Sequence, residues 1–211
     1  MRTVEHKGFV VVEGGSGVGK TTALKGLKEN LTDWEFYREP GGTPFGELMR
    51  DAVQEHKELE IDPVAAFMAY SASRANLIRG VIWPALEEGR KVMLDRYWFS
   101  TIAYQGRGEG VDKEFIQSLS LRITDGLLPG LVLHYDLLPE LALSRKSGCS
   151  DEDRYDMKDL DFHRRIYDAY HELAAEYDDI WVMIDASQSP EKVLTDSLSV
   201  LEERGLWKSG V

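Results

Sequence analysis

Five short strand-like runs, most of them largely apolar, recur along the chain, at residues 9–13, 35–38, 91–94, 131–135 and 180–184. Between and after them lie stretches with helical period. These predict helices over 19–31, 44–55, 63–87, 113–124, 139–146, 160–177 and 190–203, several opening with proline or following an Asp or Ser cap. Alternating strands and helices predict an α/β fold in which a parallel sheet is covered on both faces. No Pro/Gly/Ser-rich linker divides the pattern, so residues 1–211 read as one domain. Residues 147–159 are polar, lack a clear period and read as a mobile loop.

In a sheet of this kind, ligands bind beyond the C-terminal ends of the strands, so the segments that follow each strand hold the candidate chemistry. After the first strand comes Gly14-Gly-Ser-Gly-Val-Gly-Lys-Thr-Thr22, which fits the G-x-x-x-x-G-K-[ST] pattern. Its glycines allow backbone N–H groups to turn toward phosphate oxygens, and the helix that follows adds its dipole. Gly14, Gly15, Ser16, Gly17, Val18, Gly19, Lys20, Thr21 and Thr22 are therefore expected to cradle ATP, with Lys20 on the β/γ-phosphates and Thr21 on Mg²⁺. A plain glycine turn would need neither Lys20 nor Thr21.

After the third strand comes Asp95-Arg96. Asp95 suits Mg²⁺ or its waters and Arg96 an acceptor phosphate, while a structural ion pair at a strand end is the competing reading. Arg38, and with it Arg50, lies near the connection after the second strand, where Glu-Pro-Gly-Gly-Thr demands a defined backbone. In the helix after Pro63, Tyr70 and Arg74 share one face, where an arginine that snorkels from an apolar stripe to the rim is the competing reading to a ring and a planar donor set together, as nucleobase binding requires. Ser100 and Tyr104 lie four and eight residues beyond Arg96 on what reads as a short helix ending at Gly106, a spacing that lets all three face one pocket.

The net charge of −12 disfavours binding along DNA or RNA but leaves a small phosphorylated ligand compatible. The single cysteine, Cys149, permits no intrachain disulfide and fits a reducing cytoplasm. No apolar run approaches a membrane span, and the N-terminus has no stretch long enough for a secretory signal.

Taken together, these residues resemble the thymidylate kinases, from Phe9 to about Leu198. The resemblance is carried by Glu13-Gly leading into the phosphate loop, Arg38-Glu-Pro-Gly-Gly-Thr43, Tyr70-Ser-Ala-Ser-Arg74, Asp95-Arg-Tyr-x-x-Ser100-Thr-x-Ala-Tyr104-Gln-Gly106 and Asp153-Arg-Tyr-Asp156. It implies a three-layer α/β/α P-loop NTP hydrolase fold with a five-stranded parallel sheet, a mobile lid over roughly 145–159, ATP and dTMP as substrates, and a homodimer. It also implies that Arg38 and Arg96 grip the acceptor phosphate with Arg50 nearby, that Tyr70 stacks on thymine where the family usually has Phe, and that Arg74 and Thr101 meet the base edge. Tyr104 would lie under the sugar and Pro40 near the 5-methyl group, with Glu13, Ser100 and Gln105 among the acceptor residues; residues 185–190 would lie by the donor adenine.

The chain departs from the family pattern at Ser16, where a carboxylate is usual, and at Gly17, Ser147 and Cys149, where a catalytic arginine is found in one or another member. Arg145, Lys146 and Arg154 remain as candidates for that role. A kinase for dUMP or a 5-substituted dUMP keeps most of these residues. A deoxynucleoside kinase, with Glu13 as base, and a slow nucleotide switch are the further alternatives, although the switch's guanine motif is absent.

Overall fold

A computed structural model describes residues 3–56, 58–146 and 154–208. Strands β1 (Val4–Glu13), β2 (Trp34–Arg38), β3 (Lys91–Asp95), β4 (Leu127–Asp136) and β5 (Trp181–Asp185) form one parallel sheet in the order β2-β3-β1-β4-β5. β1 begins at Val4 rather than at residue 9, and β4 at Leu127 rather than at residue 131. Val4, Glu5 and His6 pair with Leu127, Leu128 and Pro129 before the register shifts, and these early β1 residues face solvent. A half-exposed strand end carries charged residues, so no apolar run announces it.

The helices are α1 (Lys20–Asn30), α2 (Pro44–Arg50), α3 (Pro63–Leu77), α4 (Trp83–Glu87), α5 (Trp98–Thr101), α6 (Lys113–Ile123), α7 (Pro139–Lys146), α8 (Leu160–Glu176) and α9 (Pro190–Glu203). Several of their starts are set by side-chain caps. Thr43, Asp62, Asp159 and Ser189 each accept a backbone N–H of the following first turn. The run predicted over 63–87 is helical throughout, but α3 and α4 are joined by a π-helical turn at Ile78–Ile82. Pro84 explains it: the proline has no N–H for the carbonyl of Gly80 and its ring crowds that carbonyl, so the backbone widens one turn earlier. A second π-helical turn, Asp51–Glu55, extends α2. A third, Ile102–Gly108, continues α5 past the predicted end at Gly106.

Side chains alternate across β1. Phe9 and Val11 enter one core with residues of α3, α6 and α8, whereas Val10 and Val12 enter the other with residues of α1, α7 and α9. Both faces of the central strand are thus dry, and its carboxyl end is fixed between β3 and β4. That end is where the strand order reverses and where the glycine loop begins. Among the described residues no helix is long and apolar enough to cross a membrane.

Candidate active site

Between β1 and α1 the chain turns through three glycines at positive φ, Gly14 (144°), Gly17 (74°) and Gly19 (95°). Gly17 has a second reason to lack a side chain: a Cβ there would lie 2.2 Å from the carbonyl oxygen of Ala142. Lys20 opens α1, and its Nζ donates to the carbonyls of Gly14 (2.9 Å) and Gly15 (3.0 Å). Burial, aided by the nearby charge of Arg96, pulls the Lys20 ammonium down to about 7. An ammonium so placed is poised to be recharged by an arriving anion.

Ser16, Gly17, Val18, Gly19, Lys20, Thr21 and Thr22 line an open cleft of about 1660 Å³, which also takes in Arg38, Arg50, Asp95, Arg96, Arg145 and Lys146. Its far end is bounded by Ala186, Gln188 and Pro190, the segment expected beside the donor base. Arg145 is committed to that end, donating to the carbonyls of Ala186 (2.8 Å) and Ser187 (3.3 Å). Arg154 points elsewhere, with its guanidinium over the Tyr155 ring and one N–H at 3.5 Å from the Val53 carbonyl. Ser147, Cys149 and Asp153 lie outside the described residues, as does most of the loop read over 147–159.

Asp95 and Arg96 do not form the ion pair that was the competing reading: no salt bridge joins them among the described residues. Arg96 instead adopts φ of 67° and donates to Gly14 O (3.1 Å), Ser100 Oγ (3.1 Å) and Tyr170 OH (3.3 Å), with its guanidinium over the Tyr104 ring. Asp95 Oδ1 is buried with no hydrogen-bond partner among the described residues. A lone buried carboxylate oxygen in a cleft that also holds the Thr21 hydroxyl is a hard-oxygen donor set, and it fits Mg²⁺.

Beneath Arg96 sits Glu13, which is fully buried. Its carboxylate accepts from Tyr97 N (2.8 Å), Ser100 Oγ (2.6 Å) and Tyr170 OH (3.0 Å). Burial raises its pKa while the Arg96 charge opposes the rise. Glu13 therefore anchors Arg96 and Ser100 from below the cleft and is closed in by its own partners, an arrangement that suits neither a base for an incoming hydroxyl nor a direct contact with an acceptor. Tyr170, on α8, went unnoticed in the sequence; only its place in the apolar stripe Phe162, Ile166, Ala169, Leu173 marked it as inward-facing.

A second recess, about 60 Å³, is lined by Pro40, Tyr70, Arg74, Arg96, Ser100, Thr101, Tyr104, Gln105 and Tyr155. Arg74 is buried; its Nε donates to Glu39 Oε2 (2.6 Å) and its NH2 to Thr101 Oγ1 (3.0 Å). Burial pushes the Glu39 carboxyl up to about 7, outweighing the adjacent guanidinium. Among the described residues Arg74 NH1 and Glu39 Oε1 are buried with no hydrogen-bond partner, and both residues line the recess. Glu39 was not among the expected site residues, because a carboxylate at a strand end reads as solvated. Gln105 donates to Tyr155 OH (2.9 Å), which lies 3.3 Å from Tyr70 OH. Arg38 is half-exposed and paired with Glu47 (2.7 Å), while Arg50 reaches the Pro40 carbonyl (3.4 Å). These two arginines border the large cleft, and Arg96 spans both spaces.

Residues 12–196 match the family model described as thymidylate kinase. The chain is 38% identical over 201 residues to the thymidylate kinase of Deinococcus radiodurans, covering 93% of this chain and 97% of that protein. It is 40% identical over 207 residues to the thymidylate kinase of an Exiguobacterium species, with 96% and 97% covered. Among solved structures it is similar to the thymidylate kinase of Ehrlichia chaffeensis, with a TM-score of 0.75 and 26% identity over 92% of this chain and 97% of that one.

Proposed function

Because the chain belongs to the thymidylate kinase family, we propose that it transfers the γ-phosphoryl group of ATP to dTMP, giving dTDP and ADP. The observation that carries this reading is the adjacency of two spaces, a glycine-lined phosphate cleft and a ring-and-guanidinium recess, bridged by Arg96. ATP lies along the cleft with its base toward Ala186 and its phosphates on the loop 14–22. The dTMP base enters the recess between Tyr70 and Arg74, Tyr104 lies under the sugar, and Arg38, Arg50 and Arg96 receive the 5′-phosphate.

Thr21 and Asp95 would hold Mg²⁺, which would draw charge from the phosphate oxygens. The acceptor phosphate is largely dianionic near pH 7, its second pKa being about 6, so no general base is needed. The enclosed Glu13 carboxylate agrees with that and speaks against a deoxynucleoside as acceptor. Lys20 and Arg96 stabilise the transferring charge, and in-line placement does the rest.

Residues 1–211 act as one kinase domain with 145–159 as its lid, in the cytoplasm. Pairing with a second copy is supported by the exposed apolar side chains of Phe45 and Leu48 on α2, Val64 and Met68 on α3, and Phe115 on α6.

The test is ADP formation with ATP and Mg²⁺ over dTMP, dUMP, TMP, dCMP, dGMP and thymidine. The expected order places dTMP first, and preference for dUMP or thymidine would redirect the assignment. The same panel tests Arg74. Thymine offers the recess a carbonyl acceptor at C4 where cytosine presents an amino donor, and Arg74 NH1, a donor with no partner among the described residues, suits the carbonyl. Arg74→Ala is expected to lower the dTMP-to-dCMP ratio of kcat/KM by at least about tenfold with little change in the KM for ATP. An unchanged ratio would remove Arg74 from base recognition.

A further inference from the structure

Phosphoryl transfer concentrates negative charge beyond the end of the glycine loop, and three described segments bring a cation to that place. Lys146 ends α7, Ser16 lies in the loop, and Asp156 lies four residues ahead of α8. Lys146 Nζ forms an ion pair with Asp156 Oδ2 and donates to Ser16 Oγ (3.2 Å), while Ser16 Oγ donates to Asp156 Oδ1. The triangle is balanced: the serine spends its one proton on the carboxylate and receives one from the ammonium. The Asp156 side chain is 3% exposed and that of Lys146 20%, so the carboxylate is sunk and the ammonium faces the cleft.

We propose that Lys146 is a catalytic residue that contacts the transferring phosphoryl group, and that Asp156 and Ser16 are positioning residues that hold it there. This rests on the kinase reading above. An ammonium carries three donors, and two of those on Lys146 are used by Asp156 and Ser16, which leaves one for a phosphate oxygen. Other sources of the charge are closed or engaged. Residue 17 has no room for a side chain against the Ala142 carbonyl, Arg145 serves the carbonyls of Ala186 and Ser187, and Arg154 lies over Tyr155 toward Val53.

A serine at residue 16 fits this arrangement where a carboxylate would not. Aspartate there would face Asp156 and compete for the same ammonium. In the step itself the bond from the β–γ bridging oxygen to the γ-phosphorus breaks as one from an acceptor phosphate oxygen forms. No proton moves, and Lys146 neutralises charge on the group in flight.

The experiment compares steady-state kinetics of the wild type, Lys146→Gln, Lys146→Arg, Asp156→Asn, Ser16→Ala and the Lys146→Gln/Asp156→Asn double variant, with ATP, Mg²⁺ and dTMP. Lys146→Gln is expected to lower kcat about 10²-fold, with both KM values within about threefold, while Lys146→Arg stays within about tenfold of wild type. Asp156→Asn and Ser16→Ala are each expected to lower kcat about tenfold, and Asp156→Asn to add nothing in the Lys146→Gln background. A merely structural Asp156 would act equally in both backgrounds, and that result, or a wild-type kcat for Lys146→Gln, overturns the proposal. Should Lys146→Gln fail to fold, loss of kcat beyond tenfold in Lys146→Arg counts against a simple charge role. A wild type that phosphorylates neither dTMP nor any other acceptor of the panel above would instead overturn the kinase reading.

Discussion

Lys20→Ala is expected to lower turnover about 10³-fold while leaving the fold in place. Lys20 is buried at the start of α1, and its only described hydrogen bonds are to the carbonyls of Gly14 and Gly15, which other donors or water can take over. Its removal also deletes a cation that burial makes costly, so the stability change should be within about 1 kcal/mol. Kinetics and thermal melting together separate this from unfolding.

The same residue predicts a proton signature. With its ammonium pulled down to about 7 by burial, free Lys20 is mostly neutral at pH 8. A triphosphate favours the charged form and raises that pKa. Nucleotide binding at pH 8 is thus accompanied by proton uptake, which fades below pH 6 where Lys20 is already charged, and affinity falls as pH rises through the bound-state pKa. Calorimetry of ATP binding in buffers of different ionisation enthalpy reads the uptake directly. Its persistence at full size in Lys20→Ala would assign the proton to another group.

Arg96→Ala is expected to damage both stability and acceptor binding. Arg96 holds together the Gly14 carbonyl, Ser100 and Tyr170, and it is the main charge opposing the cost of burying Glu13. Removing one member of a buried charged cluster costs about 3 kcal/mol, which for a chain of this length lowers the melting temperature by about 10 °C. The acceptor phosphate loses its forked donor at the same time, so the KM for dTMP should rise about 10²-fold, with the KM for ATP less affected. Arg96→Lys keeps the charge without the fork, and should recover more of the stability than of the KM. An unchanged melting temperature in Arg96→Ala would mean that Glu13 is satisfied by Tyr97, Ser100 and Tyr170 alone.

Where local chemistry dictated structure, the sequence was readable. The G-x-x-x-x-G-K-T run appears between β1 and α1 with positive φ at Gly14, Gly17 and Gly19, because a tight turn with inward amides needs those glycines. The five-stranded parallel sheet follows from the apolar runs and the helices between them. Arg96, Ser100 and Tyr104 come together as their four-residue spacing required, even though the helix widens to a π turn beyond Thr101. The missed features are those that depend on long-range packing. Glu39 reads as an exposed strand-end acid until Arg74, 35 positions on, is laid across it. Tyr170 reads as core until α8 sets its hydroxyl against Glu13, 157 positions away. Nothing local shows that Arg145 turns to the Ala186 carbonyl while its neighbour Lys146 turns to the glycine loop.

The two spaces bridged by Arg96 are expected to pass a phosphoryl group from one nucleotide to another. Incubation of the protein with ATP labelled at the γ-phosphorus, Mg²⁺ and dTMP, with chromatographic separation of all nucleotides, tests it most directly. Equal amounts of ADP and labelled dTDP, with negligible inorganic phosphate, are the predicted result. Label released as inorganic phosphate with no labelled dTDP would contradict it.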